Sequence, residues 1–378
     1  MSLLQAELSP AITSSEVMLF AGAGASVPLG MPTTRAFLNE LRRQVEATRL
    51  RVVYDAALDQ LGNDADIERL LDILAQWRSY PLSSPPRLAT GSPVAPSQPP
   101  PTAGTQAEVV DLYEAALRLI TTRYSDVDAD RARFLYGWLL IWLKGFCTNW
   151  SPLPIFTTNY DWTFERMVER LKRRITSLVD GFVANPAGSL WNPAAFHRLK
   201  GARHWQIVLF KLHGSTAWYR QPSGQIAKIT HAERYSGQLK NVIVYPTEAK
   251  TELVREEPFL TAYSYLTACL SMGTRLCVVI GYSFRDPEIS EAFRIGLAEN
   301  PQLRIIVLDP DPDKGRLEKS LQCSPERMTF VKDEFRYYGV TSNDGLRRAV
   351  ERLMTPNSIF HQPSPSHPAP SSRIDSAS

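Results

Sequence analysis

The sequence predicts an α/β protein with a Rossmann-like parallel sheet and helices on both faces. Short, continuous apolar runs recur along the chain, and parallel strands buried on both faces have this pattern. Segments with helical spacing of apolar residues separate these runs, as expected for strands joined by crossover helices. Several runs end in glycine or in a polar residue, at the position where open α/β sheets bind their ligands.

The first strand is predicted at 17–20, and it ends in Gly22 and Gly24. Ser26 follows, and a helical pattern begins near Thr33. A strand, a glycine turn and a helix together bring backbone N–H groups against a pyrophosphate. We expect glycine here because a Cβ would block the ligand and because the turn needs unusual φ and ψ angles. The turn alone is a weak signal, since Val27 stands where the dinucleotide fingerprint has a third small residue.

A largely helical insertion is predicted over 36–150, between the first two strands. Thr33 or Thr34 can cap its first helix, and further helices are predicted at 66–77, 107–124 and 128–147. The last of these is rich in aromatic residues, which at helical spacing indicate a core rather than a ligand cage. Residues 80–105 are dense in proline, serine, glycine and alanine, and predict a flexible surface loop.

Later strands are predicted at 153–157, 207–212, 241–245, 276–280 and 303–308, all in the same sheet. The residues that follow them are candidates for a site at the carboxyl edge of the sheet. Asp286, followed by Pro287, predicts the N-cap and first turn of a helix.

Composition places the chain among ordinary globular proteins. Of its 378 residues, 44% are hydrophobic and 21% are charged, and the net charge is only +3, which does not indicate nucleic acid or an anionic membrane as the main partner. No signal peptide or membrane-spanning run of about 20 apolar residues is evident. We therefore expect a cytoplasmic protein with one domain over 1–355 and a disordered tail at 356–378.

The four cysteines predict buried, reduced thiols and no zinc. They are Cys147, Cys269, Cys277 and Cys323. None forms a Cys-x-x-Cys pair, and each lies in or beside an apolar run. A tetrahedral thiolate site for zinc is therefore not expected.

Four motifs in order resemble the sirtuin superfamily. They are Gly-Ala-Gly-Ala-Ser at 22–26 with Gly30-x-Pro32 and Arg35, then Asn159-Tyr160-Asp161, then His213-Gly214, then Gly281-Tyr282-Ser283. Sirtuins that deacylate proteins carry a four-cysteine zinc ribbon after the histidine motif, and the interval 219–242 has no cysteine. The chain thus resembles the zinc-less sirtuin-like NAD-hydrolase domains of prokaryotic antiphage defence systems, in which helical insertions replace the zinc module.

The resemblance implies that NAD is the substrate and that several residues bind it. They are Gly22, Ala23, Gly24, Ser26, Arg35, Gly281, Ser283 and Asp309. The glycine turn would hold the pyrophosphate, and Ser283 would contact a phosphate or the adenine ribose. The position of Asp309 at a strand end suits it to accept hydrogen bonds from the adenosine ribose hydroxyls. Arg35 would lie toward the nicotinamide ribose.

Three residues are implied to be catalytic. Asn159 would orient the ribose and the attacking water, and Asp161 would shape the nicotinamide pocket. His213 would act as the base, on a ribose hydroxyl or on water. Outside the family, a histidine after a strand is usually structural, and Asn-Tyr-Asp can be a turn and helix cap. The four motifs in order favour the catalytic reading.

The function that the resemblance implies is cleavage of the nicotinamide–ribose bond of NAD, giving nicotinamide and ADP-ribose. Infection would trigger this activity, and NAD depletion would stop growth before a phage multiplies. An NAD-dependent protein deacylase and a non-catalytic sensor of NAD or ADP-ribose are the alternatives. Formation of some cyclic ADP-ribose stays open, because pocket shape decides whether water or an adenine nitrogen captures the ribosyl centre.

Control of such an activity is expected to come from self-assembly or from a separately encoded partner. The resemblance suggests a helicase-type ATPase, an Argonaute-like protein or a sensor of a nucleotide signal. The insertion at 36–150 is the expected contact or gating surface.

Overall fold

The computed structural model describes residues 8–62, 65–79, 105–146, 152–171, 176–185, 188–199, 205–229, 240–243, 254–335 and 344–354. Its strands are β1 (Val17–Ala21), β2 (Leu153–Thr157), β3 (Thr176–Val179), β4 (Phe182–Asn185), β5 (Gly188–Trp191), β6 (Trp205–Lys211), β7 (Gly214–Arg220), β8 (Ile226–Lys228), β9 (Lys240–Ile243), β10 (Leu276–Ile280), β11 (Arg304–Asp309) and β12 (Met328–Lys332). The 3₁₀ helices are Ala23–Leu29, Pro193–Arg198 and Pro325–Arg327.

The α-helices are α1 (Pro10–Thr13), α2 (Thr34–Val45), α3 (Leu50–Leu61), α4 (Ile67–Ser79), α5 (Gln106–Ser125), α6 (Ala129–Lys144), α7 (Thr163–Arg170), α8 (Phe259–Met272), α9 (Pro287–Glu299), α10 (Lys314–Leu321) and α11 (Asp344–Met354). Within the described ranges, none of these helices is both long and apolar enough to cross a membrane.

A parallel sheet of seven strands forms the centre of the fold, in the order β12-β11-β10-β1-β2-β6-β3. Every residue of β1, β2 and β10 is buried. Because successive side chains point to opposite faces, Leu19 and Met18 of β1 enter two different cores. Helices α2–α7 and α11 cover one face, and α1 and α8–α10 cover the other. The predicted fold class is confirmed.

The chain between β1 and β2 contains α2–α6, which we call the helical module. Thr33 caps α2 through its hydroxyl, and a capping box formed by Thr105 and Glu108 begins α5. Tyr54, Trp77 and other large side chains of the module are buried in the core that also contains Leu19 of β1. The predicted helices at 66–77, 107–124 and 128–147 correspond to α4, α5 and α6, whereas α3 was not predicted. Residues 80–104 of the predicted loop and 356–378 of the predicted tail lie outside the described residues.

A second, antiparallel sheet with the order β4-β5-β8-β7-β9 was not predicted. Four of its five strands have only three or four residues, and β5 has one exposed and three half-buried positions. The longer β7 is largely buried but contains Ser215 and Thr216, so no continuous apolar run marks these strands. The predicted strand at 241–245 was assigned to the wrong sheet. Its described part lies in β9, which pairs antiparallel with β7.

The prediction of buried cysteines is confirmed for two of the four. Cys269 and Cys277 are buried thiols, whose pKa burial raises, whereas Cys323 is half-buried. Cys147 lies outside the described residues. Among the side chains that the structure describes, no group of three or more His, Cys, Asp or Glu residues is arranged to hold a metal ion.

Candidate active site

The carboxyl ends of four central strands lie level with one another. The backbone register places Ala21 of β1 beside both Ile280 of β10 and Thr157 of β2, and Thr157 beside Lys211 of β6. The chain leaves β1 toward β2 on one side and returns to pair with β1 through β10 on the other. This is the topological switch point at which open α/β sheets bind ligands. The loops that follow these strands carry all four sequence motifs.

The glycine turns after β1 and β10 pack directly against each other. The Gly22 N–H donates to Ile280 O at 2.9 Å, and the Gly24 N–H donates to Gly281 O at 3.0 Å. A Cβ on Gly22 would lie 2.5 Å from Gly281 O. Gly281 has a left-handed φ of +59°, and a Cβ there would lie 2.4 Å from Ala25 N. Close approach of two backbones therefore requires glycine on both sides.

The sequence-based reason for Gly22 was wrong in one respect. Its φ of −105° and ψ of −171° are ordinary extended values, so the turn needs no unusual backbone angle there. The helical pattern also begins earlier than predicted, because a 3₁₀ helix over Ala23–Leu29 precedes α2. Ala23, one of the predicted binding residues, is the first residue of this 3₁₀ helix.

Ser26, Asn159 and Asp161 form one buried hydrogen-bonded group, which we call the Asn159 cluster. Ser26 Oγ donates to Asp161 Oδ2 at 2.7 Å. Asn159 Nδ2 donates to Ser26 Oγ and to Gly22 O, both at 2.9 Å. Each of the three residues is more than nine-tenths buried. The second motif is thus joined to the first, and the asparagine and aspartate are held in fixed orientations.

Asp161 also contacts the start of the helix that follows. Its Oδ1 accepts a hydrogen bond from the Thr163 N–H at 2.9 Å, at the start of α7. The N-cap residue of α7 is Trp162, whose side chain makes no capping hydrogen bond, so this oxygen of Asp161 supports the turn before the helix, while Oδ2 serves the Asn159 cluster. One carboxylate takes part in both interactions.

His213 lies in the short connection between β6 and β7 and pairs with Asp286. Its Nε2 is 2.8 Å from Asp286 Oδ2, and both residues are more than nine-tenths buried. Gly214, which follows, has a φ of +83°, and a Cβ there would lie 2.1 Å from Val242 O. The histidine-glycine motif therefore combines a side chain at the sheet edge with a turn that only glycine fits.

A buried ion pair lies beneath these side chains. Lys211 Nζ is 3.3 Å from Glu165 Oε1 and also donates to the Asp161 carbonyl oxygen. It is 3.4 Å from Ser215 Oγ as well. Lys211 is 2% exposed and Glu165 is 8% exposed, so the pair is removed from solvent. Its contact with the Asp161 backbone ties the loop after β2 to the end of β6.

Two tyrosines of the helical module reach the site. The Tyr136 hydroxyl of α6 donates to Ala25 O at 2.7 Å, and Tyr124 of α5 packs edge-on against Tyr160. Burial and, second, the charge of the Asp161 carboxylate raise the pKa of both hydroxyls above the ordinary tyrosine value. The module thus contacts the glycine turn after β1 and, through Tyr160, the loop that carries Asn159 and Asp161.

Two cavities meet at Asp309 on the other side of the glycine turn. One, of about 450 Å³, is lined by Ser283, Asp309 and Arg316 among others. The second, of about 500 Å³, is lined by Gly24, Gly281 and Asp309 and by apolar side chains that include Phe335. Asp309 Oδ1 accepts a hydrogen bond from the Asp311 N–H at 2.8 Å.

The structure brings most of the candidate residues together in two neighbouring groups. Ser26, Asn159 and Asp161 form the cluster, while Gly24, Gly281, Ser283 and Asp309 surround the cavities. Arg35 lies in the first turn of α2, and its side chain is not among those described.

Sequence reasoning missed the second role of Asp286 and the buried pair. Asp286 had a recognisable signal as a helix cap, which the structure confirms, but nothing in the sequence indicated His213 as its partner. The sequence contained one indication of Lys211 that was recognised only with the structure, a charged residue inside an otherwise apolar strand.

A parallel sheet whose polar loops converge at the switch point defines an α/β protein of the Rossmann type. Residues 154–340 match the family described as the SIR2-like domain. This match identifies a SIR2-like domain in that part of the chain and supports the membership of the sirtuin superfamily that the four motifs predicted.

Solved structures of sirtuins resemble the chain distantly. The "crystal structure of a Sir2 homolog–NAD complex" is 14% identical with a TM-score of 0.41, covering 91% of this chain and 93% of its own. "The structural basis for sirtuin substrate affinity" is 11% identical with a TM-score of 0.37, covering 94% and 100%. The structure of Sir2Tm bound to a propionylated peptide is 11% identical with a TM-score of 0.36, also covering 94% and 100%. Among curated proteins, no sequence matches the chain significantly.

Proposed function

We propose that the protein binds NAD and hydrolyses its nicotinamide–ribose bond, giving nicotinamide and ADP-ribose. The observation that carries the proposal is the convergence of Asn159, Asp161 and His213 with the glycine turn at the level carboxyl ends of β1, β2 and β6. All three side chains are more than nine-tenths buried and engaged in hydrogen bonds. A water-excluded site with fixed dipoles suits a reaction that passes through a charged ribosyl centre.

The cavities around Asp309 are the proposed place for the adenosine half of NAD. The Asp309 carboxylate would accept hydrogen bonds from the ribose hydroxyls, and Ser283 would contact the ribose or a phosphate. The glycine turn, with Ala23 and Ser26, would hold the pyrophosphate. The nicotinamide ribose would then lie toward the Asn159 cluster, with Arg35 on the same side.

The proposed reaction needs one water molecule and one base. The bond between ribose C1′ and the nicotinamide nitrogen breaks, and its electron pair leaves with nicotinamide, which becomes neutral. Water oxygen forms a new bond to C1′, and His213 accepts the proton that the water releases. Asn159 would orient the ribose and the water, and Asp161 would shape the pocket that receives the nicotinamide ring.

We also propose that this activity serves as the NAD-depleting effector of an antiphage system under external control. The helical module contacts the glycine turn through Tyr136, so a partner or a second copy that moved the module would alter the site. Phe134 and Ile141 of α6 are large apolar side chains that are 57% and 55% exposed. This face of the module is the proposed contact surface for a separately encoded regulator, or for another copy of the chain.

The test measures NAD, nicotinamide, ADP-ribose and cyclic ADP-ribose in cells expressing the full chain, before and after phage infection. The same products are measured with purified protein. Asn159→Ala and His213→Ala should abolish NAD loss. Asn39→Ala and His197→Ala, which change exposed residues of the same types, should leave it unchanged. If NAD is untouched under every condition although purified protein binds it, the hydrolase proposal fails and the sensor alternative replaces it.

A further inference from the structure

The carboxylate of Asp286 makes two different interactions with its two oxygens. Oδ1 accepts hydrogen bonds from the Glu288 and Ile289 N–H groups, at 3.1 and 3.3 Å, and so caps α9. Oδ2 lies 2.8 Å from His213 Nε2. A cap alone would be satisfied by the first oxygen, so the second contact calls for a separate explanation.

The contact joins distant parts of the sheet. Asp286 follows β10 and His213 follows β6, and β1 and β2 lie between these strands. Strands in a sheet are spaced about 4.8 Å apart, so the loop after β10 reaches across about 14 Å of the sheet edge. A bent backbone makes this possible, because Gly281 and Phe284 both have left-handed φ angles, of +59° and +54°. A non-glycine residue in that conformation indicates a loop held for a purpose.

We propose that Asp286 is the positioning residue for His213, fixing the orientation of its ring and the nitrogen that carries its proton. An ionised carboxylate can only accept hydrogen bonds, so Nε2 must carry the proton that lies between the two groups. In the neutral imidazole the accepting lone pair is then on Nδ1. This inference rests on the proposed function, because it assigns Asp286 a part in the NAD hydrolysis that His213 would support.

The surroundings of Asp286 suit this role. The N-terminus of α9, with its 13 residues, favours a negative charge at the cap position. Ser290 Oγ donates to Phe284 O at 3.2 Å and so fastens the loop to the first turn of the helix. Because backbone N–H groups hold one carboxylate oxygen, the other has a fixed direction toward the imidazole. A histidine oriented by a fixed carboxylate is a recurring arrangement for general bases.

Asp286→Asn is the variant that separates positioning from capping. Asparagine is as good an N-cap as aspartate, so the helix keeps its cap. The amide nitrogen would then face Nε2 as a donor, and the imidazole proton would move to Nδ1. The expected result is a fall in kcat of about 10²- to 10⁴-fold with the KM for NAD changed less than about threefold. Asp128→Asn makes the same change at the cap of α6 and should leave kcat unchanged.

A spectroscopic measurement reads the tautomer directly. Two-bond ¹H–¹⁵N correlation spectra of the ¹⁵N-histidine-labelled full chain should show His213 protonated at Nε2, and Asp286→Asn should move the proton to Nδ1. The His213 signals are assigned by their loss in His213→Gln. The unmutated protein provides the first of these readings, so a variant that failed to fold would not prevent the decision.

The outcomes separate this inference from the proposed function. A His213 protonated at Nδ1 in the unmutated protein overturns the positioning role. So does an Asp286→Asn variant that hydrolyses NAD within twofold of the unmutated rate, and the hydrolase proposal then survives. If the protein hydrolyses no NAD under any condition, infected cells included, while the tautomer and its switch are as expected, the proposed function fails and the positioning of the imidazole by Asp286 is upheld.

Discussion

Replacing Lys211 by methionine should destabilise the protein severely, because the change leaves Glu165 as a buried charge without its cationic partner. Lys211 Nζ lies 3.3 Å from Glu165 Oε1 in a site where the two residues are 2% and 8% exposed. Removing one member of such a pair costs about 3–5 kcal/mol of unfolding free energy. Methionine has a similar length and fills the same space, so the loss reflects charge rather than a cavity.

Removing both charges should restore most of the stability. In Lys211→Met with Glu165→Leu, no buried carboxylate is left unpaired. The remaining cost should be about 1–2 kcal/mol, because the Asp161 carbonyl and Ser215 hydroxyl still lose their donor. The double-mutant cycle should therefore give a coupling energy of about 2 kcal/mol or more.

Urea-induced unfolding followed by tryptophan fluorescence measures these differences. Lys319→Met, at an exposed position of α10, is the control and should change stability by less than about 0.5 kcal/mol. A loss below about 1 kcal/mol for Lys211→Met would refute the reasoning. The reasoning would also be refuted if the cost of the double variant equalled the sum of the costs of the two single changes.

Three further changes test the glycine turn, the helical module and the adenosine subsite. Gly22→Ala places a Cβ 2.5 Å from the Gly281 carbonyl and should cost about 1–3 kcal/mol of stability and weaken NAD binding, as measured by urea unfolding and calorimetry. Gly315→Ala, where a Cβ meets open space, should be neutral or slightly stabilising. Tyr136→Phe leaves a buried carbonyl without its donor and should cost about 1–2 kcal/mol; an unchanged unfolding midpoint would contradict the contact. Asp309→Asn should raise the KM for NAD about tenfold. It should also improve the use of NADP relative to NAD, since a negative charge near the 2′ position is removed. Equal discrimination between NAD and NADP by the variant and the unmutated protein would argue against this subsite.

The parallel sheet could be predicted from the sequence because its strands are buried on both faces. The predicted bounds of the strands at 153–157 and 276–280 agree with β2 and β10 to the residue. The caps formed by Thr33 and Asp286 were also predictable, because a side-chain oxygen that accepts from a nearby N–H is a local feature. The antiparallel sheet was not, because four of its five strands have only three or four residues and the buried run of β7 contains the polar Ser215 and Thr216, so no continuous apolar run marks its strands.

The residues of the candidate site could be predicted from the sequence, but the hydrogen bonds and the ion pair that join them could not. Motif order indicated Asn159, Asp161 and His213, yet the hydrogen bond from Ser26 to Asp161 joins residues 135 positions apart. The partner of His213 is 73 positions away, and the buried Lys211 and Glu165 meet only when α7 folds against β6. Such pairings depend on the sheet order, which no local pattern contains. That the Arg35 side chain lies toward the nicotinamide ribose stays a prediction.

The position of β1 has a consequence for protein synthesis. β1 is completed at residue 21, but the strand that covers its second edge, β10, begins at residue 276, and Asp286 follows later still. A chain emerging from the ribosome N-terminus first therefore has an open central sheet and a half-formed glycine turn for most of its translation. Under the proposed function, a growing chain could not consume NAD before the segment from β10 to Asp286 had been made. Late closure of the sheet would thus protect the producing cell from its own unfinished enzyme.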